Sequence, residues 1–207
     1  MGVHLVDHPV LGDALAALRD AATAAPDFRA AMARAAAVLF LEAARDLPVE
    51  TGNVATPLGS ASARRLRPGS VTLVPVLRAG LAMLEGILPL APGARVAHVG
   101  VRRDEETAEA SDYYARVPPA AGGSTVFVLD PMLATGGTLV RTLEILEEAG
   151  AADARVVALV AAPEGVRAVR EAFPEAEIFV AAVDEGLDAR SYIVPGLGDA
   201  GDRAFGT

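Results

Sequence analysis

Residues 124–138 read STVFVLDPMLATGGT. The first half, STVFVLD (124–130), carries an unbroken apolar run, VFVL, that ends in an acid, Asp130. A run without polar alternation is what a strand buried on both faces requires. A Thr/Gly-rich turn follows, and TLVRTLEILEEAG then places apolar residues at helical spacing. This predicts a helix from Thr138 with Gly150 as its stop. The unit is therefore strand, acid, glycine turn and helix.

The same order repeats on both sides. VTLVPVL (71–77) predicts a strand and LAMLEGILPL (81–90) a helix. ARVAHVGV (94–101) predicts a second strand. After the quoted unit, ARVVALVAA (154–162) predicts a fourth strand, with a helix near Val166 to Phe173, and EIFVAAVD (177–184) a fifth. Continuous apolar strands alternating with helices define an α/β fold, a central, mostly parallel sheet flanked by helices. Upstream, Pro26 to Leu47 predicts a long helix, with Pro26 in its first turn and Pro48 ending it. NVATPLGSASARRLR (53–67) predicts a small hairpin turned around Pro57-Leu58-Gly59, placed to cover the main body or a second subunit.

Composition narrows the chemistry. The chain has 207 residues, 52% of them hydrophobic and 22% charged, which suits one folded domain over residues 1–207. A net charge of -9 argues against nucleic acid, whose phosphates demand a basic face. All 18 basic residues are arginine, so Schiff-base and Walker lysines are excluded. The absence of cysteine excludes disulfides and thiolate chemistry. His4, His8 and His98 make no convincing metal set and are expected to be surface or packing residues. Neither a signal peptide nor a membrane span is expected, which makes the cytoplasm the default location.

Ligands of parallel α/β sheets sit at the carboxyl ends of the strands. After the first strand comes Arg78-Ala79-Gly80, and after the second Arg102-Arg103-Asp104-Glu105-Glu106-Thr107. After the third comes Asp130-Pro131-Met132-Leu133-Ala134-Thr135-Gly136-Gly137-Thr138, and after the fourth Ala162-Pro163-Glu164-Gly165. Arginines, an acid and a glycine turn at one edge suggest a phosphorylated ligand. Backbone N–H groups at such a turn and at the helix start can hold a phosphate. Asp130 would then accept hydrogen bonds from sugar hydroxyls, as a ribose 5-phosphate would offer. The plainer alternative is an ordinary strand-to-helix turn. Likewise Arg78 suits a second phosphate group or a surface ion pair, and the RRDEET run around Arg103 reads equally as a solvated loop. Residues 102–123, with Tyr113 and Tyr114, read as a long non-sheet excursion and a lid candidate.

Near the end, Gly196-Leu197-Gly198-Asp199-Ala200-Gly201 spells G-x-G-x-x-G. A dinucleotide fingerprint needs a helix and another strand after it, and only six residues follow Gly201. These glycines are expected to serve another purpose.

VPVLRAGL, RRDEET, LDPMLATGGT, VAAPEG and YIVPGLGDAGDRAFGT occur in the order and spacing of uracil phosphoribosyltransferases, which the chain resembles from HLVDHP to its last residue. The resemblance implies a type I phosphoribosyltransferase fold and transfer of the 5-phosphoribosyl group of 5-phosphoribosyl 1-diphosphate (PRPP) to uracil, giving UMP and diphosphate in pyrimidine salvage. It implies Mg²⁺ carried largely on PRPP, and a homodimer or homotetramer. It implies that residues 130–138 hold the ribose 5-phosphate, that Arg78 and Arg103 hold the diphosphate, and that the Leu77–Arg78 peptide is cis. Ile193, Gly198, Asp199 and Ala200 would hold uracil, with Asp199 also reaching PRPP. Asp199, Arg103 and Asp130 are the catalytic candidates.

Uracil presents O4, N3–H and O2, and backbone supplies the complement where glycine lets it approach. Cytosine would set an N–H against an N–H, a buried mismatch that discriminates strongly. On this reading GLGDAG is a base clamp. A plainer role for Asp199 is to tie the tail together, for instance to Arg203.

Three positions depart from common patterns. Arg102 stands where many relatives have an aromatic residue, and Arg34 where they have an acid. Pro131 replaces the second acid of the general phosphoribosyltransferase loop, as is usual in the uracil branch. Some relatives are activated by GTP, and no residue here establishes a GTP site. Two rivals are a phosphoribosyltransferase for another base and a nucleotide-sensing regulator of the same fold. The first is opposed by the clamp, and the second by the retained Arg78, Asp130 and Asp199.

Overall fold

The apolar runs form the middle of the main sheet in a computed structural model of the chain, which describes residues 2–103, 110–117, 123–151 and 153–207. In chain order the elements are β1 (Val3–Leu5), α1 (Pro9–Arg19), α2 (Ala25–Ala43), β2 (Val49–Thr56), β3 (Gly59–Leu66), β4 (Val71–Leu77), α3 (Gly80–Ile87), β5 (Arg95–Val96), β6 (His98–Arg103), β7 (Ala110–Arg116), β8 (Thr125–Leu129), β9 (Met132–Leu133), α4 (Gly137–Glu148), β10 (Asp153–Ala161), α5 (Pro163–Ala172), β11 (Glu177–Val183), β12 (Gly186–Leu187), β13 (Ile193–Val194) and α6 (Ala200–Phe205). The main sheet runs β1-β11-β10-β8-β4-β6-β7, with β5 beside β4 and β9 beside β10. Its pairs are parallel except β6–β7.

Alternation along the central strands splits the core into two layers. Leu73, Phe127, Leu129, Val157 and Leu159 face one side, against Phe28, Met32 and Leu39 of α2 and Met83 of α3. Val74, Val126, Val128, Val156 and Ala158 face the other, against Leu139, Leu143 and Leu146 of α4 and Val169 of α5. Burying each Val, Leu, Phe or Met among these contributes about 1.5–3 kcal/mol, and both faces of the sheet gain it.

Helix α2 ends at Ala43, four residues before the expected Leu47. Arg155 of β10 reaches across, donates to Ala43 O and pairs with Asp46, so a buried guanidinium takes up the end of the helix. The hairpin β2–β3 turns at Pro57-Leu58 as expected, but it does not cover the body. Every residue of its strands is exposed except the half-exposed Val54 and Ala63.

The expected non-sheet excursion over 102–123 needs correction. Within it, residues 110–116 form β7, antiparallel to β6 from His98↔Arg116 to Arg103↔Ala110. Arg102 and Arg103 end β6, and residues 104–109 and 118–122 of the proposed lid lie outside the described residues. Helix α1 was not expected. His8 caps it, accepting from Val10 N at 3.1 Å. His4 stacks on Phe179 at 4.4 Å, so two of the three histidines have structural places.

Candidate active site

The ends of β4, β8 and β10 and the start of α6 meet at one edge. Gly80 opens α3 so close to β8 that a methyl group on it would lie 2.3 Å from Leu129 O. The Arg78-Ala79-Gly80 turn is therefore a direct neighbour of Asp130. On its other side the same turn meets α6. Arg78 Nη2 lies 3.3 Å from Asp202 Oδ1, and its Nη1 lies 3.5 Å from Thr207 Oγ1. The Leu77–Arg78 peptide is cis, and the Arg78 side chain is more than half exposed.

Asp130 follows β8 directly. Burial pushes its carboxyl up to about 7, and a bond from Met132 N (3.3 Å) to Oδ1 offsets this only in part. The chain then adds the short strand β9 to β10 at Met132↔Val160 and Leu133↔Ala161. Gly136 takes φ +89° as the cap of α4 and offers that helix no side-chain cap. Val140 N bonds Gly136 O, so N–H groups before Val140 have no intrahelical acceptor.

This turn rests on α5. A methyl on Gly136 would lie 2.8 Å from Ala168 Cβ and 2.9 Å from Gly165 O. One on Gly165 would lie 2.4 Å from Ala134 O. The first turn of α5 therefore lies flush under residues 133–136, with no room for a side chain between them. VAAPEG thus carries a packing role that residue chemistry alone does not reveal.

The C-terminal segment builds the third wall. Ile193 is buried and pairs with Leu187 across the β12–β13 ribbon. The Val194–Pro195 peptide is cis, and Gly196 and Gly198 take φ +59° and +76°. Asp199 caps α6, its Oδ1 accepting from Asp202 N at 2.9 Å. Arg203 N donates to Asp199 O at 3.0 Å within α6, but among the described residues no side-chain bond ties Asp199 to Arg203 as the plainer reading of Asp199 would have it. Arg203 instead donates to the carbonyls of Leu18, Asp20 and Leu197, and its guanidinium lies 4.3 Å from the Phe28 ring centroid. Arg29 adds a bond to Ala204 O at 2.6 Å. Helices α1 and α2 therefore hold the tail in place.

The structure thus gathers Arg78, Asp130 to Thr138, and Ile193 with Gly198 to Ala200. Arg103 ends β6, beside β4, and its side chain lies outside what the structure describes. Arg19, Asp184 and Asp202 escaped sequence reasoning. Asp184 carried a signal, since it ends an apolar strand as Asp130 does. Arg34 lies 3.9 Å from Asp13 in an exposed pair between α1 and α2.

A family model described as uracil phosphoribosyltransferase matches residues 5–207. The chain belongs to the uracil phosphoribosyltransferase family. A relative of that name from Shouchella clausii is 46% identical over 205 residues, covering 99% of this chain and 98% of its own. One from Symbiobacterium thermophilum matches with the same identity and coverage. A solved structure of the AQ2163 protein from Aquifex aeolicus superposes with a TM-score of 0.92 at 41% identity, over 98% of this chain and 97% of that one. A hypoxanthine-guanine phosphoribosyltransferase from Bacillus anthracis shares the fold alone, with a TM-score of 0.53 at 13% identity, over 76% of this chain and 79% of its own. The mostly parallel sheet with helices on both faces is therefore the type I phosphoribosyltransferase fold. The chain is a phosphoribosyltransferase, an enzyme of the glycosyltransferase type.

Proposed function

We propose that the chain transfers the 5-phosphoribosyl group of PRPP to uracil, releasing diphosphate and giving UMP, a step of pyrimidine salvage. One observation carries this reading. The Arg78 turn abuts Leu129 O, beside Asp130, on one side and Asp202 of α6 on the other. Diphosphate, ribose and base subsites are then contiguous, in the order one ligand pair needs.

In this reading the turn from Asp130 to Thr138 binds the ribose 5-phosphate, its N–H groups facing the phosphate. Asp130 accepts hydrogen bonds from the ribose hydroxyls. Arg78 and Arg103 neutralise charge gathering on the leaving diphosphate, where fixed cations lower the barrier most. Ile193, Gly198 and Ala200 present backbone groups to uracil. Asp199 spends one oxygen on the α6 cap, and its remaining charge favours positive charge on the sugar or takes the proton of the attacking nitrogen.

Among the described residues no three acidic or imidazole side chains gather into a cation cage. Asp130, a single carboxylate on the loop, fits a Mg²⁺ ion that brings most of its ligands on PRPP. When bound, that ion would supply further charge neutralisation at the diphosphate.

The exposed hairpin β2–β3 supports a homodimer or homotetramer. A two-stranded hairpin is marginal alone, and Leu58 at its tip is fully exposed, so a second copy is its natural cover. No described helix is long and apolar enough to cross a membrane. Activation by GTP has no residue assigned to it, and rates with and without GTP decide it.

Calorimetric titration with PRPP and Mg²⁺ tests the site. Arg78→Gln should weaken PRPP binding about ten-fold or more, the loss of a charge-assisted pair. An unchanged affinity would overturn the assignment.

A further inference from the structure

The candidate base clamp is held by groups outside it. Arg19 is the last residue of α1, and Asp184 follows β11. Their side chains meet as a fork, with Nη2 2.6 Å from Oδ1 and Nη1 2.9 Å from Oδ2. The Asp184 side chain is 5% exposed and that of Arg19 27%. Both backbone groups of Gly196 are bound by this pair. Gly196 N donates to Asp184 Oδ2 at 2.9 Å, and Gly196 O accepts from Arg19 Nη1 at 2.9 Å. The next residue, Glu185, donates its N–H to Val194 O at 3.0 Å.

Gly196 is the joint between the two halves of the clamp, Ile193 and the turn from Gly198 to Ala200. It is folded back so tightly that a methyl group on it would lie 2.1 Å from Ile193 O. Fixing its N–H and C=O fixes both dihedrals of the joint. The orientation of the backbone groups on either side follows from that. A buried ion pair is a poor source of stability, because desolvation offsets its attraction. Its geometry is nonetheless rigid, since a bidentate arginine–carboxylate fork sets distance and plane together.

Resting on the reading of residues 193–200 as the uracil clamp, we propose that the Arg19–Asp184 pair is a specificity-determining positioning device. It holds the Gly196 joint so that the clamp's backbone donors and acceptors match uracil and reject cytosine. Neither residue touches the base in this scheme.

The test uses the full chain with PRPP, Mg²⁺ and either uracil or cytosine. Asp184→Asn and Arg19→Met should each raise the uracil KM about ten- to hundred-fold, the usual effect of a small misplacement. Each should narrow the uracil-over-cytosine ratio of kcat/KM by a similar factor and leave the PRPP KM unchanged. The double variant should be no worse than the poorer single one, since the two residues act as a unit. Arg19→Lys, which keeps the charge and loses the fork, carries the same test if Asp184→Asn is not recovered folded. Gly198→Ala probes the clamp directly. If it raises the uracil KM while the pair's variants leave KM and base preference unchanged, the positioning role is overturned and the clamp stands. If Gly198→Ala also leaves the uracil KM unchanged, the clamp reading fails and the proposal with it. Uracil and PRPP KM values rising together with a lower Tm would mark the pair as general scaffold and overturn the proposal.

Discussion

Asp130→Asn should make the ligand-free protein more stable at alkaline pH while removing most of its turnover. Burial pushes the Asp130 carboxyl up to about 7 from an ordinary 3.8. Between those values the folded chain keeps a proton that the unfolded chain has lost. Stability therefore falls as pH rises through that window, and the full loss is present above pH 7. Three units at about 1.4 kcal/mol each set a ceiling of about 4 kcal/mol. Part of the Asp130 surface remains open, and solvent screening there reduces the expected penalty to about 1–3 kcal/mol. Asparagine keeps the shape and the acceptor for Met132 N, and it carries no charge to desolvate. Urea denaturation at pH 5.5 and pH 8 reads the difference. The variant should gain about 1–3 kcal/mol at pH 8, and clearly less at pH 5.5, where the parent is still largely protonated. A variant no more stable at pH 8, or a gain equal at both pH values, would refute the reasoning. Neither result fits a carboxylate pushed up by burial with no partner cation among the described residues. A gain in stability with loss of turnover is the pattern of a group kept for function.

Gly165→Ala should push the 133–136 turn outward, since its methyl meets Ala134 O at 2.4 Å; the PRPP KM should rise about ten-fold or more with the uracil KM little changed. Asp199→Asn should lower kcat about 10²–10⁴-fold, the usual worth of a general base, whereas an intact kcat with a lower Tm would leave Asp199 as the cap of α6 alone. Arg203→Met strands three carbonyls and should cost about 2–4 kcal/mol in urea denaturation. Replacing residues 50–65 by a two-residue turn should give a monomer by sedimentation; an unchanged assembly mass would remove the hairpin from the interface.

The parts of the fold visible in the sequence were those whose pattern is local. VTLVPVL becomes β4 residue for residue, because a strand buried on both faces is marked by its apolar side chains, and its one polar residue, Thr72, is paired with Ser124. Strand β7 was not legible. All of ASDYYAR except its two tyrosines is small or charged, and it becomes a strand through its antiparallel ladder with β6. Helix α1 had its signals, a capping histidine and Pro9 in the first turn, but it is short and carries a glycine. The phosphate turn could be read because its residues are consecutive. The Arg19–Asp184 pair could not, since 165 positions separate its members and only the packing of α1 on the end of β11 brings them together. Gly165 stood at a strand end in plain view, yet its purpose depends on the closeness of α5 to the turn that rests on it.

A panel of bases incubated with the chain, PRPP and Mg²⁺ is the most direct measurement, with nucleotide and diphosphate quantified together. Uracil should yield UMP and diphosphate in equal amounts, with cytosine, hypoxanthine, guanine and adenine giving no nucleotide. A faster reaction with any other base, or no UMP from uracil, would contradict the assignment of this site.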